Sequence, residues 1–330
     1  MDKITIYQFT DPVCVWSWGN EPAIRAIDYL YGNKVAIKYI MGGLVEDIAT
    51  LFDLRGDKHE IIKQANHTIA ANWLAASKRH GMPVNCKDMN LYSERYPSSF
   101  PQNIAYKAAK RLNPDAAKIF LRRMREATFI EGKRTSQIDV LIRLAVECGF
   151  NAAKFIDEYT TGEAQNDFMQ DRIACRRNNI SGFPSYLIHR GDTNIILGGY
   201  QNLSTFHTVI SRLSAGKVKP RRIGPSIAGV LDFIKRYKRV YPIEIQTTFG
   251  LSHEQTLLMI AELVNQHYII SLPAGNGIRL EFPNSEKYAK STPSRSKTQQ
   301  ESNHSTSAKR ESADKAHKHR EKTHREEVKG

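Results

Sequence analysis

Residues 11–19 read Asp11-Pro12-Val13-Cys14-Val15-Trp16-Ser17-Trp18-Gly19, and they join a stretch of period-two alternation, 3–9, to a helical one, 19–31. The next stretch, 34–40, is Lys-Val-Ala-Ile-Lys-Tyr-Ile and alternates again. Alternation marks half-buried strands and a 3.6-residue period marks a helix, so the chain opens as a β-α-β unit with Cys14 at the first strand-to-helix turn. Unpaired N–H groups and the helix dipole at such a place stabilise an anion. A thiol there is expected to ionise below its free value, and the thiolate is the reactive form. Cys14 is therefore the expected reactive cysteine, whereas Cys86, Cys148 and Cys175 read as small buried hydrophobes.

Outward from this unit, helical periodicity runs through roughly 57–80, 101–112, 114–130, 135–149, 151–160 and 163–178. Strand signals return at 184–189 and 193–198, followed by a helix at about 202–214. Two β-rich halves thus flank a helical insertion of about 50–178. The returning half begins Ile180-Ser181-Gly182-Phe183-Pro184-Ser185-Tyr186. Proline is tolerated as the first residue of a strand, so Pro184 has an ordinary explanation; the sharper expectation is a cis peptide bond.

Taken together, these motifs resemble the cytoplasmic DsbA-family proteins of the FrnE type. Asp11 to Gly19 is similar to that family's D-P-x-C-P-W-C-[YW]-G, and Gly182-Phe183-Pro184 is similar to its G-[VT]-P. The resemblance covers roughly residues 1–215 and implies an α/β thioredoxin fold with a helical insertion. It further implies that Cys14 is the nucleophile, Trp16 the intervening tryptophan, and Pro184 a cis-proline facing the thiol, with Phe183 beside it. Ser17 departs from the pattern, standing where the family has its resolving cysteine. A dithiol turns over because the second thiolate attacks the mixed disulfide, which a serine hydroxyl cannot do. Monothiol exchange, isomerisation, a glutathione-assisted cycle and a site that only binds all remain open. So does resolution by Cys86 or Cys175. The aromatic side chains Trp16, Trp18 and Phe183 would make an apolar rim, although Trp18 on the first helix is expected to pack in the core; Trp73 suits either the cleft or its own helices.

The segment 216–224 is basic and proline-containing and reads as a linker. Beyond it, a helix at about 226–239, a short helix after Pro242 and a longer one over 253–267 lead to a hairpin, 268–272 and 278–282, through 273–277. Ser252 with Gln255 fits a capping box at the third helix. Three helices and a two-stranded wing over 225–283 suggest a small winged-helix domain. This segment holds five Lys/Arg and five Asp/Glu, and the helix 253–267 holds no Lys or Arg. Phosphate neutralisation supplies most nucleic-acid affinity, so a protein partner or self-association ranks above DNA.

The formal charge of +14 over 330 residues is partly a tail effect, since residues 284–330 hold twelve Lys/Arg and seven Asp/Glu. That segment has almost no large apolar side chain and is expected to be disordered, with nucleic-acid contact confined to it and to the linker. Its His304, His317, His319 and His324 read as solvated histidines rather than metal ligands. The chain enters strand alternation without a basic leader or apolar run, and no stretch approaches the roughly 20 apolar residues of a membrane span. A reducing cytoplasm and free thiols are expected. The expected function is a monothiol disulfide oxidoreductase or isomerase acting on protein or peptide thiols, without metal or cofactor and with glutathione as a co-substrate of the assisted cycle. The alternatives are a redox-inactive adaptor that binds a protein through the groove and the winged helix, and a DNA-binding redox sensor.

Overall fold

The structure is a computed structural model that describes residues 3–52 and 54–283. The expected disordered tail and its histidines lie outside the described residues. Strand β1 (Ile4–Thr10) leads through helices α1 (Val15–Gly19) and α2 (Glu21–Tyr31) to β2 (Val35–Met41). The insertion is α3 (Lys58–His80), α4 (Phe100–Leu112), α5 (Pro114–Phe129), α6 (Ile138–Glu147), α7 (Ala152–Thr160) and α8 (Glu163–Arg177). Then follow β3 (Ser185–Arg190), β4 (Thr193–Gly198) and α9 (Leu203–Leu213). The chain continues as α10 (Ile227–Tyr237), α11 (Pro242–Phe249), α12 (His253–Asn265), β5 (Ile270–Ala274) and β6 (Gly277–Glu281). The α/β layout with its helical insertion is as the sequence reading has it.

One sheet has the order β2-β1-β3-β4, with β1 parallel to β2 and antiparallel to β3. The parallel pair needs a crossover, and α1 and α2 supply it. Ile4 and Ile6 of β1, Tyr186 and Ile188 of β3, α2 and α9 share one core. Tyr39 and Met41 of β2 pack with α4 to α8 in a second. The sheet therefore carries Thr10, the last residue of its central strand, to a place where both helical layers meet, and the Cys14 turn follows directly.

Val230, Phe233 and Ile234 of α10, with Ile245, Ile260 and Leu280, belong to the same core as Ile4 and α2. Residues up to Phe282 form one compact unit. Burial of such side chains is worth roughly 1.5–3 kcal/mol each, so this is an extensive seam. The helix expected over 19–31 is split at Asn20, which ends α1 and begins α2. The hairpin is also tighter than expected. Pro273 lies inside β5 paired with Ile278, and the turn is Gly275-Asn276, with Gly275 at φ +57°. In a two-stranded sheet both strands are edges, so a missing N–H on the outer side costs little. Asn276 ties this turn to the loop after α3: its Oδ1 accepts from Val84 N at 2.8 Å and its Nδ2 donates to Ser77 Oγ at 3.1 Å.

Among the described residues no helix is long and apolar enough to cross a membrane.

Candidate functional site

Cys14 is the N-cap of α1, and its Sγ accepts the Ser17 N–H at 3.4 Å. The thiol in turn donates to the Phe183 carbonyl at 3.3 Å, and the Phe183-Pro184 peptide bond is cis. Cys14, Ser17, Phe183 and Pro184, separate in sequence, are thus brought together. The sulfur is nonetheless covered, Cys14 being only 3% exposed. Burial pushes its pKa up, the Ser17 hydroxyl and N–H pull it partly back, and the nearby Asp11 adds to the rise. The expected lowering by the helix start is therefore corrected: α1 has five residues, and its dipole and N–H groups do not offset the loss of water around a thiolate.

Beneath the thiol runs a buried polar chain that the sequence reading missed. Thr10 Oγ1 donates to Ser17 Oγ at 2.8 Å and accepts from Arg125 Nη2 at 2.7 Å. Arg125 pairs with Glu21, and Arg122 pairs with Glu21 at 3.1 Å, Glu126 at 2.9 Å and Glu244 at 3.1 Å. Arg25 completes the cluster on Glu244 at 3.0 Å. These residues come from α2, α5 and α11, and nothing in local sequence links them. Asp11, also buried, accepts from the N–H groups of Val13 and Leu44, from Ser99 Oγ and from Asn103 Nδ2. Burial raises its carboxyl despite those donors. It anchors the Cys14 turn to the start of α4.

Trp16 is partly exposed and forms the rim. His80 meets it edge-on with centroids 5.9 Å apart, Tyr200 lies 6.3 Å away, and the Arg79 guanidinium stands over it at 5.5 Å. Tyr200 is brought here because Gly199 N donates to Pro184 O at 2.8 Å, while Asn20 Nδ2 donates to Gln201 O at 2.6 Å. His80 is buried, its Nδ1 accepts from Met82 N at 3.1 Å, and burial lowers its pKa to about 4. Neither His80 nor Tyr200 carries a motif of its own; both reach the rim only through the fold. Phe183 is half-buried with its ring against Gly42.

Trp18 packs in the core, its Nε1 donating to Pro83 O at 2.8 Å, with Phe129 stacked on it at 5.5 Å and Tyr241 edge-on at 5.4 Å. Trp73 packs on Phe129 at 4.5 Å, within the insertion. All four cysteines are free thiols. Cys86 lines a shallow depression on α3 with Gln64 and His67, and Cys175 is buried on α8. Among the described residues the polar contacts of the Cys14 sulfur are to Ser17 and Phe183, not to another cysteine.

Residues 7–208 match the family model described as thioredoxin. Among curated proteins, the chain is 24% identical over 277 residues to the ClpXP adapter protein SpxH of Halalkalibacterium halodurans, covering 83% of this chain and 87% of that one. It is 22% identical over 280 residues to the ClpXP adapter protein SpxH of Bacillus subtilis, covering 83% and 88%. Among solved structures it resembles a candidate protein disulfide isomerase of Nitrosomonas europaea, with TM-score 0.55, 18% identity and coverage of 65% and 99%. The cytosolic disulfide reductase DsbM of Pseudomonas aeruginosa aligns with TM-score 0.50, 21% identity and coverage of 64% and 98%.

Proposed function

From the premise that the chain belongs to the thioredoxin family, with a DsbA-like α/β fold and helical insertion, we propose that it is a protein-binding adaptor whose Cys14 groove no longer turns over disulfides. The observation that carries this is the state of the sulfur: covered, donating its proton to the Phe183 carbonyl, and followed by Ser17 instead of a second thiol. Disulfide exchange needs an accessible thiolate and a group to release the mixed disulfide. The Ser17 hydroxyl is itself held by Thr10.

What remains usable is the rim. Trp16, Tyr200, Arg79 and half-buried Phe183 are of the aromatic and arginine types that anchor protein contacts. The adaptor names of the relatives agree with this use. A winged-helix-like role for residues 225–283 belongs to the same reading, as a protein-contact module. On α12, Leu257 and Leu258 are 45% and 65% exposed, while the hairpin turn that a DNA-binding wing would offer is occupied by Val84 and Ser77. The reading needs no metal or cofactor and suits a reducing cytoplasm, where the thiols stay free.

The test is capture of partners from cells under non-reducing conditions, with insulin reduction measured in parallel. The adaptor predicts that wild type and Cys14→Ala hold the same proteins, that Trp16→Ala and Tyr200→Ala lose them, and that Ser17→Cys gains no turnover. Disulfide-linked partners lost in Cys14→Ala, together with turnover gained in Ser17→Cys, would instead establish the monothiol oxidoreductase or isomerase.

A further inference from the structure

Strand β2 is an edge of the sheet, with β1 on its inner side. The direction of its backbone groups follows from two hydrogen bonds. Gly42 N donates inward to Thr10 O at 2.8 Å, whereas Met41 N donates outward to Asp171 Oδ2 at 2.9 Å. Backbone groups alternate in direction along a strand, so the N–H groups of Ile37 and Tyr39 also point away from β1. Asp171 closes the Met41 end. Among the described residues no partner meets the outward N–H groups of Ile37 and Tyr39. Proteins usually cover or blunt such an edge because it is a template for another strand.

A cleft of about 1000 Å³ opens along this stretch, walled by α2, α5 and residues 236–239. Eight Lys and Arg and five Asp and Glu line it, so its balance is basic. Lys3 and Lys238 stand exposed at it and form no ion pair among the described residues. Arg123 is only 8% exposed; Nε and Nη2 pair with Glu147 and Glu131, but Nη1 is shut from solvent without a partner. On the α5 wall, Ile119 is 63% exposed and offers an apolar contact beside Ile37.

We propose that β2 is a docking edge, to which an extended acidic segment of a protein partner adds as a further strand. The partner's backbone pairs with Ile37 and Tyr39, and its carboxylates meet Lys3 and Lys238. Strand addition draws affinity from main-chain hydrogen bonds and selectivity from side-chain contacts, and this cleft supplies both. The chain's own segment 284–330 carries an excess of positive charge and does not fit as occupant. The inference stands whether or not the Cys14 groove is an adaptor site, because it uses none of that groove's residues.

Fluorescein-labelled short peptides of alternating Val and Glu, and the same peptides with Lys for Glu, serve as probes of the full-length protein by anisotropy. The Val/Glu peptide binds, weakens as salt is raised, and slows hydrogen exchange at the Ile37 and Tyr39 amides. The Val/Lys peptide does not bind. The double variant Lys3→Glu, Lys238→Glu, altered only at exposed positions, loses on the order of tenfold in affinity; Ile37→Pro, which removes the outward N–H together with a partly buried side chain, weakens binding more than Ile37→Ala, which keeps the N–H; Cys14→Ala leaves it unchanged. Equal binding of both peptides, or unaltered exchange at Ile37 and Tyr39, overturns the proposal. So does protection of those amides in the free protein that is released by removing residues 284–330, or that grows with protein concentration, because the occupant is then the chain itself.

Discussion

The ring of Phe183 lies so close to Gly42 that a β-carbon on Gly42 would sit 1.8 Å from Phe183 Cζ. Only a hydrogen fits there, and the same Phe183 holds the Cys14 thiol through its carbonyl. A methyl group at position 42 must displace the ring, which is half-buried. Gly42→Ala is expected to cost about 1–3 kcal/mol, as overpacking does, and to speed alkylation of Cys14 several-fold. An unchanged melt together with an unchanged alkylation rate would show that the ring does not rest on Gly42.

Cys14 should react more slowly than Cys86, and not as the fastest of the four thiols. Burial raises its pKa and covers its sulfur, while Cys86 is half-buried beside a surface depression. Alkylation followed by mass spectrometry across pH should show Cys86 modified before Cys14, and a Cys14 midpoint above the free-thiol value of about 8.5. A Cys14 midpoint below that value would restore the activated-thiolate picture.

His80 makes stability depend on acid. Its folded pKa, lowered to about 4, lies below its ordinary 6.5. The unfolded chain therefore binds the extra proton first, so the contribution of His80 is fully present above pH 6.5 and is lost as pH falls toward 4. His80→Leu should flatten the fall in melting temperature over that window relative to wild type. A parallel acid dependence in both proteins would mean that His80 is not buried as the neutral form.

Glu244 joins the C-terminal segment to the site's foundations, since it is fully buried and pairs with both Arg25 and Arg122. Glu244→Gln leaves Arg25 without its carboxylate and Arg122 with only Glu21 and Glu126, a change expected to cost about 3–5 kcal/mol. Because residues 227–281 share a core with β1 and α2, unfolding of residues 1–283 should remain a single transition moved to lower temperature. Two separated transitions, with only one shifted, would show that residues 227–281 fold on their own.

Much of the architecture was legible locally. The alternation of 3–9 and 34–40 around a helix, the helical periods of the insertion and the Ser252 capping box are short-range patterns, and periodicity and capping act within a few residues. The pairing of the Cys14 turn with Gly182-Phe183-Pro184 was legible only because both motifs resemble one family. The split at Asn20 and Pro273's place inside β5 were not, because each depends on what packs or pairs across from it.

By itself the sequence determined that the chain folds as an α/β unit with a helical insertion, that a lone cysteine stands at the first strand-to-helix turn, and that Ser17 follows it in place of a second thiol. Tertiary structure alone decided how that cysteine behaves. Its pKa is raised by burial against the partial pull of Ser17, and its thiol is held by the Phe183 carbonyl, which lies 169 positions away in the chain. Tertiary structure also decided the rim partners His80 and Tyr200, the Arg125–Thr10–Ser17 relay and the docking of the C-terminal helices. Burial and Coulomb interactions depend on distance in space, and residue order fixes that distance only after the chain has folded.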